Sequence, residues 1–355
     1  MHARTNVSFL PEVVAEFEHS PSGIAPARDG RIFLSFPRID PVPAPATLVE
    51  LIDGQPVPFP DDLVNAIDPA EKQHRFVSIH GIAVGPRNRL LALDTGANSL
   101  DGCDPQAAKL FVIDLDRNTI THAIGFPADV CLPTSYLNDL VIDYARGKAG
   151  YAYISDSGPQ GPNGIIVVDL DSGDSWRVLS KDRSVRPMAP AGFGIGTELG
   201  TKPVSAGIDG IALSPDGSTL WWTPLGSYGL FSIDTQILVT TPVDPLAVAR
   251  HVVAYPQRDF ACDGLDSDRE GRIYFTDCTH GGLQRLIPAE SRYEQLLHGD
   301  TRMVWPDSVK LGPDRIVYIT DSQLDRSPAW NGGQDLRELP YRLYRAAIDA
   351  DPAQF

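Results

Sequence analysis

Cysteine and methionine are scarce in this chain of 355 residues, with four of the first and three of the second. No apolar run approaches the roughly 18 residues that a membrane-spanning helix needs. Basic clusters are absent too. Lys and Arg number 30 against 46 Asp and Glu, for a formal charge of −16. Such a surface repels phosphate backbones and anionic bilayers, so the expected partner is a small molecule, not nucleic acid or membrane. The opening residues, Met1 to Leu10, lack the apolar core of a signal peptide. The expectation is a cytoplasmic protein; the alternative is a periplasmic or secreted one whose signal lies outside this chain. The familiar signatures are also missing: no GxSxG elbow, no HExxH, no Walker loop, and no GxGxxG between a strand and a helix. No Cys pair has CxxC spacing.

What the sequence does contain is a repeat. A polar or small residue, usually followed by Gly, opens a short apolar strand at Ser22, His80, Asn138, Asp209, Asp263 and Asp307. A turn and a second strand follow each time, as in Leu90–Asp94, Tyr151–Asp156, Arg272–Asp277 and Ile316–Asp321. Residues 133–179 show the whole unit, four short strands with Gly/Asp turns between them. Six copies, each about 40–50 residues plus loop, predict an all-β fold: a six-bladed β-propeller of four-stranded antiparallel blades. It is read as a single domain over residues 1–355. The last blade supplies only three strands of its own. Residues 11–17 form an extra strand before the first blade, so the N-terminal strand is expected to join the last blade and close the ring.

Three segments exceed what turns require: 37–74, 182–206 and 323–339. Loops this long in a compact domain are often functional. Register arithmetic places Cys262 opposite Cys278 across a hairpin and Cys103 opposite Cys131, as disulfides or as reduced pairs.

In a propeller every innermost strand starts at the same end of the axis. Folding therefore gathers Ser22, His80, Asn138, Asp209, Asp263 and Asp307 around one opening. Two readings of this ring stand. Carboxylates crowded in a channel repel one another unless a cation sits among them, and hard oxygen donors without Cys suit a divalent cation, calcium best. The metal ligands would then be Asn138, Asp209, Asp263 and Asp307. Alternatively, these residues cap backbone N–H groups at the strand starts. His80 is the ring's one ionisable nitrogen and a candidate acid or base. The candidate catalytic residues are His80, Asp209 and Asp263. The candidate ligand-binding residues are Ser22, His80, Asp139 behind Asn138, and the loop aromatics Phe193 and Trp305. Asp94, Asp156, Asp277 and Asp321 end second strands at the rim, and their repetition argues for a structural turn role at most of them. His280 and His251 carry no pattern.

The ordered set Ser35–Arg38, Leu93-Asp-Thr-Gly96, Lys109–Leu115, Asn138–Asp143, Ala152–Gly158 and Gly164–Val178 resembles the Yellow/major royal jelly protein family. The resemblance runs from about Pro21 to the last blade and implies a six-bladed propeller. What it implies for activity is scattered: tautomerase-like conversion, amine binding, or nutritional and signalling roles. More distantly, the architecture is similar to the senescence-marker/gluconolactonase propellers. That likeness implies one divalent cation on Glu, Asn, Asn and Asp ligands and lactone hydrolysis. Ser22-Gly23 stands where that family offers its Glu. The functional expectation is a small-molecule enzyme at the top of the axis, either a metal-assisted lactonase-like hydrolase or a tautomerase/isomerase. The alternative is a non-catalytic binder of a small aromatic or cationic ligand.

Overall fold

A computed structural model of the chain describes residues 5–6, 10–188, 194–197, 200–240 and 245–353. Six sheets, each with four antiparallel strands, follow one another along the chain as blades 1 to 6, and Thr5–Asn6 adds a fifth, parallel strand to the outer edge of blade 5. Their innermost strands are Ile24–Pro26, Ile79–Gly85, Leu137–Asp143, Ile208–Leu213, Leu265–Ser267 and Pro306–Gly312. The N-terminal strand Glu12–Phe17 pairs antiparallel with Tyr341–Ala347 and becomes the outermost strand of blade 6. The ring thus closes between the two ends of the chain, and the last blade gains its missing fourth strand.

Strand alternation explains where the core sits. Successive side chains point to opposite faces, and each face meets a different neighbouring blade. In blade 3, Tyr153 packs towards blade 4 with Ile211 and Trp222, while Ile154 packs towards blade 2 with Leu91 and Leu110. The apolar core is therefore divided into layers between adjacent blades. Fully burying one such side chain contributes about 1.5–3 kcal/mol. Both faces of the innermost strands are covered, and all six residues of Ile208–Leu213 are buried.

The glycines of the repeat have a steric cause. A Cβ on Gly23 would lie 2.5 Å from the carbonyl oxygen of His80, and one on Gly81 2.5 Å from that of Asn138. Gly210 and Gly264 stand in the same relation to Asp263 and Asp307, at 2.3 and 2.5 Å. Each glycine admits the backbone of the next blade at the axis.

The segment 37–74 is not all insertion. It holds the outer hairpin of blade 1, Leu48–Ile52 with Gln55–Pro58, and a short helix, Asp62–Asn65. Two further helices, Thr235–Val239 and Pro245–Arg250, link the outer strands of blade 4. Segment 182–206 contains a small hairpin, Ile195–Thr197 with Gly200–Lys202.

All four cysteines are free thiols. Leu265 does pair with Phe275 as the register arithmetic requires. Beyond that pair the ladder slips by one residue, and Cys278 N–H donates to Ala261 O at 3.0 Å. The slip turns Cys262 into the layer of Phe260 and Phe275, and Cys278 towards Trp305 and Val204. Cys103 and Cys131 do face each other, with sulfurs 3.5 Å apart.

Candidate functional site

The ring residues owe their aim to a repeated irregularity. In blades 2, 3, 4 and 6 the ladder between the first two strands carries one extra residue on the inner strand, between Ile79 and Ile82, Leu137 and Leu140, Ile208 and Ile211, and Pro306 and Val309. These bulges contain His80, Asn138, Asp209 and Asp307. A bulge bends the strand and redirects its side chains; here they turn into the channel.

Above the ring lies a cavity of about 530 Å³. Ser22, His80, Asn138, Asp209, Asp263 and Asp307 all line it. Its walls come from the three long segments: Pro37 to Pro41, Lys202 to Ala206, and Leu324 to Arg337. Leu100, Leu225 and Trp330 add apolar surface. Arg337, on the wall, is held by Asp40 and Asp335, each at 2.7 Å.

Hydrogen bonds join half of the ring into a chain. Tyr136 Oη lies 2.7 Å from His80 Nδ1, and His80 Nε2 lies 2.8 Å from Ser22 Oγ. Ser22 Oγ in turn donates to Asp307 Oδ1 at 2.9 Å. Burial lowers the His80 imidazole to about 3, so it is neutral and carries one N–H. With Ser22 donating to Asp307, that N–H is Nε2–H, and Nδ1 accepts from Tyr136. Both ring nitrogens are therefore occupied.

The other half is acidic. Burial first, then the charges of Asp263 and Asp307, push Asp209 well above the usual carboxylate range. Burial and Asp307 do the same to Asp263, against the Trp305 N–H bond. Burial raises Asp307 to about 6, opposed by hydrogen bonds from Ser322 and Ser22. Asn138 spends its Nδ2 on Ser157 Oγ at 3.0 Å, which leaves its Oδ1 available. Among the described residues no lysine or arginine forms an ion pair with Asp209, Asp263 or Asp307.

One step deeper, Lys310 lies between Asp139 and Asp266. Burial pulls its ammonium down, but the two carboxylates outweigh that and hold it above its usual value. Asp139 does not line the upper cavity. It accepts from its own strand at Leu140 N–H, 2.9 Å, and belongs to this deeper charge cluster.

Of the two aromatics expected at a ligand, Phe193 lies outside the described residues. Trp305 is fully buried, packs beside Trp330 at 5.8 Å between centroids, and donates its indole N–H to Asp263 Oδ2 at 2.6 Å. Among the described residues the loop aromatic on the cavity wall is Trp330. Tyr136 and Trp330 escaped the sequence reading. Strand alternation offered a signal for Tyr136, two residues before Asn138; nothing periodic marks Trp330.

The rim aspartates tie down turns. Asp94 accepts from the N–H groups of Val77, Ser78 and Gly96, Asp156 from those of Tyr136 and Gly158, and Asp321 from that of Trp305.

Comparison with known proteins adds the following. A family model described as major royal jelly protein matches residues 77–352. Protein yellow of Drosophila pseudoobscura pseudoobscura is 24% identical over 382 residues, covering 97% of this chain and 64% of that protein. Protein yellow of Drosophila melanogaster is 23% identical, covering 97% and 66%. The chain thus spans about two thirds of the length of these relatives. Among solved structures, a calcium-binding protein, regucalcin, from Agrobacterium tumefaciens superposes with a TM-score of 0.58 at 16% identity, covering 99% of this chain and all of that one. A gluconolactonase from Xanthomonas campestris gives 0.57 at 14%, covering 96% and 89%. At such identities the likeness concerns the fold.

Proposed function

From the premise that the chain belongs to the major royal jelly protein family, we propose that it is an enzyme acting on a small cyclic carbonyl compound, by lactone hydrolysis or tautomerisation, in the cavity above the acidic ring. One observation carries this reading. Three buried carboxylates and an amide oxygen converge at the foot of a cavity of about 530 Å³, and among the described residues no lysine or arginine forms an ion pair with them.

That donor set fits a hard divalent cation, with calcium the best match. Asn138, Asp209, Asp263 and Asp307 would hold it, and when bound it supplies polarisation of a carbonyl oxygen. The remaining steps belong to the protein. Tyr136 presents its phenol oxygen to the cavity as an acceptor for a substrate hydroxyl or water. Because His80 is saturated on both nitrogens, it acts through its neighbours: a proton taken up at Tyr136 shifts along His80 and Ser22 towards Asp307. Trp330 and the apolar wall seat a flat ring.

A second reading rests on Trp330 above the acidic ring. An aromatic face over carboxylates also suits a cationic amine that is bound and not turned over.

The test is metal content of the purified chain, with thermal melts in calcium and in chelator, followed by lactone and enol–keto substrate panels. A stoichiometric cation, a melt lowered by chelator and turnover abolished in Asp263→Ala are expected. No metal, no calcium response and no turnover, with saturable binding of an amine, would replace the enzyme by the binding protein.

A further inference from the structure

Blade 5 departs from the repeat at its rim. In blades 2, 3 and 6 the aspartate ending the second strand pins the segment that leads into the same blade's innermost strand. Asp94 takes Ser78 N–H at 2.9 Å, Asp156 takes Tyr136 N–H at 2.9 Å, and Asp321 takes Trp305 N–H at 2.7 Å. In blade 5 that task falls to Thr279, whose Oγ1 accepts Ala261 N–H at 2.8 Å. Asp277 is thereby released, and its carboxylate turns to His280, with Nδ1 3.0 Å from Oδ2.

A second histidine joins them. His298 follows the fourth strand of the blade, and its imidazole lies 5.0 Å from that of His280, centroid to centroid. The two loops are stitched by backbone bonds, Gly299 N–H to His280 O at 3.0 Å and Asp300 N–H to Gly281 O at 3.2 Å. One donor atom from each of Asp277, His280 and His298 falls within 4.8 Å of the others. Gln284 Nε2 donates to Asp277 Oδ2 at 2.8 Å, and the Thr279 and His280 N–H groups hold Oδ1 at 3.1 Å. A carboxylate oriented by a second layer of donors is a usual support for a metal ligand.

We infer that Asp277, His280 and His298 form a second, peripheral metal site, separate from the axial ring. Two imidazoles and one carboxylate favour a borderline ion such as zinc or copper over calcium. The 3.0 Å between Oδ2 and Nδ1 is close to the spacing of two ligands on one ion at about 2.0–2.1 Å. The metal replaces the Nδ1 proton of His280, whose N–H moves to Nε2. His298, exposed at the surface, closes the third position by a side-chain rotation, and solvent fills the fourth. The segment from His298 to Trp305 leads into Asp307, so the ion would clamp the lead-in to blade 6.

The experiment uses the full chain, stripped with chelator and then held in excess calcium to fill hard-donor sites. Copper(II) is titrated in and followed by electron paramagnetic resonance. One equivalent with coupling to two imidazole nitrogens is expected. His298→Ala should lose one nitrogen and bind more than about tenfold more weakly, and His280→Ala should behave alike. An unchanged spectrum and stoichiometry in the His280→Ala/His298→Ala double variant overturns the site. So does copper uptake that only His80→Ala removes, or no nitrogen coupling in the wild type. Because His298 is exposed and outside the blade core, its variant is a folded control, checked by an unchanged melt in chelator.

Discussion

The indole N–H of Trp305 reaches Oδ2 of Asp263 at 2.6 Å, so a fully buried aromatic orients one carboxylate of the axial ring. Trp305→Phe removes this donor and leaves Asp263 buried without it. The expected loss is about 1–3 kcal/mol for a buried acceptor left without its donor, plus weaker calcium binding. Urea unfolding with and without calcium measures both; unaltered calcium affinity would remove Trp305 from the site.

Asp307 gives a pH signature. In the folded protein it holds its proton up to about pH 6, whereas in the unfolded chain it ionises near the ordinary value of about 4. Its stabilising contribution is therefore full below that lower value and is lost as pH rises through about 6. Asp307→Asn escapes the loss. Without divalent cations at pH 8 the variant should be more stable than wild type, by up to about 3 kcal/mol. Excess calcium should reverse the order, because only the wild type gains from it. Melts across pH 4–8, with and without chelator, decide; equal stabilities at pH 8 in chelator would refute the assignment.

Gly210→Ala places a Cβ 2.3 Å from the carbonyl oxygen of Asp263. Backbone must move, at a cost of about 1–3 kcal/mol or more. Gly125→Ala, where nothing lies within 4 Å, is the control and should be near neutral. Chemical denaturation of the two variants tests the contrast.

Lys310→Met strands Asp139 and Asp266 around the lower axis. Removing one partner of a buried charge cluster costs about 3–5 kcal/mol. Adding Asp266→Asn should restore part of it. A Lys310→Met variant as stable as wild type would show that the ammonium does not balance these carboxylates.

Deleting residues 10–17 removes the outermost strand of blade 6, including buried Ala15 and Phe17, and bares the edge of Tyr341–Ala347; a deletion of residues 1–9, which takes only the short strand Thr5–Asn6 from blade 5, is the control. The melt should shift down as one transition and the protein should become prone to association. A wild-type melting temperature would mean that the ring does not depend on this closure.

The fold was legible because its causes are local and repeated. Each blade writes the same polar residue, glycine, apolar strand and turn, and a six-fold repeat leaves few architectures. Ring closure followed from counting strands, and the gathering of Ser22, His80, Asn138, Asp209, Asp263 and Asp307 followed from the symmetry of strand starts. The arrangement within that ring was decided by tertiary structure. One-residue bulges aim the side chains, and a one-residue slip parts Cys262 from Cys278; a local pattern of period two does not register either. Trp305 became a buried donor and Trp330 the wall, because loops from different blades fold over one another without periodicity. His280 carried no pattern in sequence, since His298 meets it and Asp277 only when the second and fourth strands of blade 5, with the third between them, end at the same rim. Sequence specifies which residues reach the axis and the rim; long-range packing specifies which atoms they meet there.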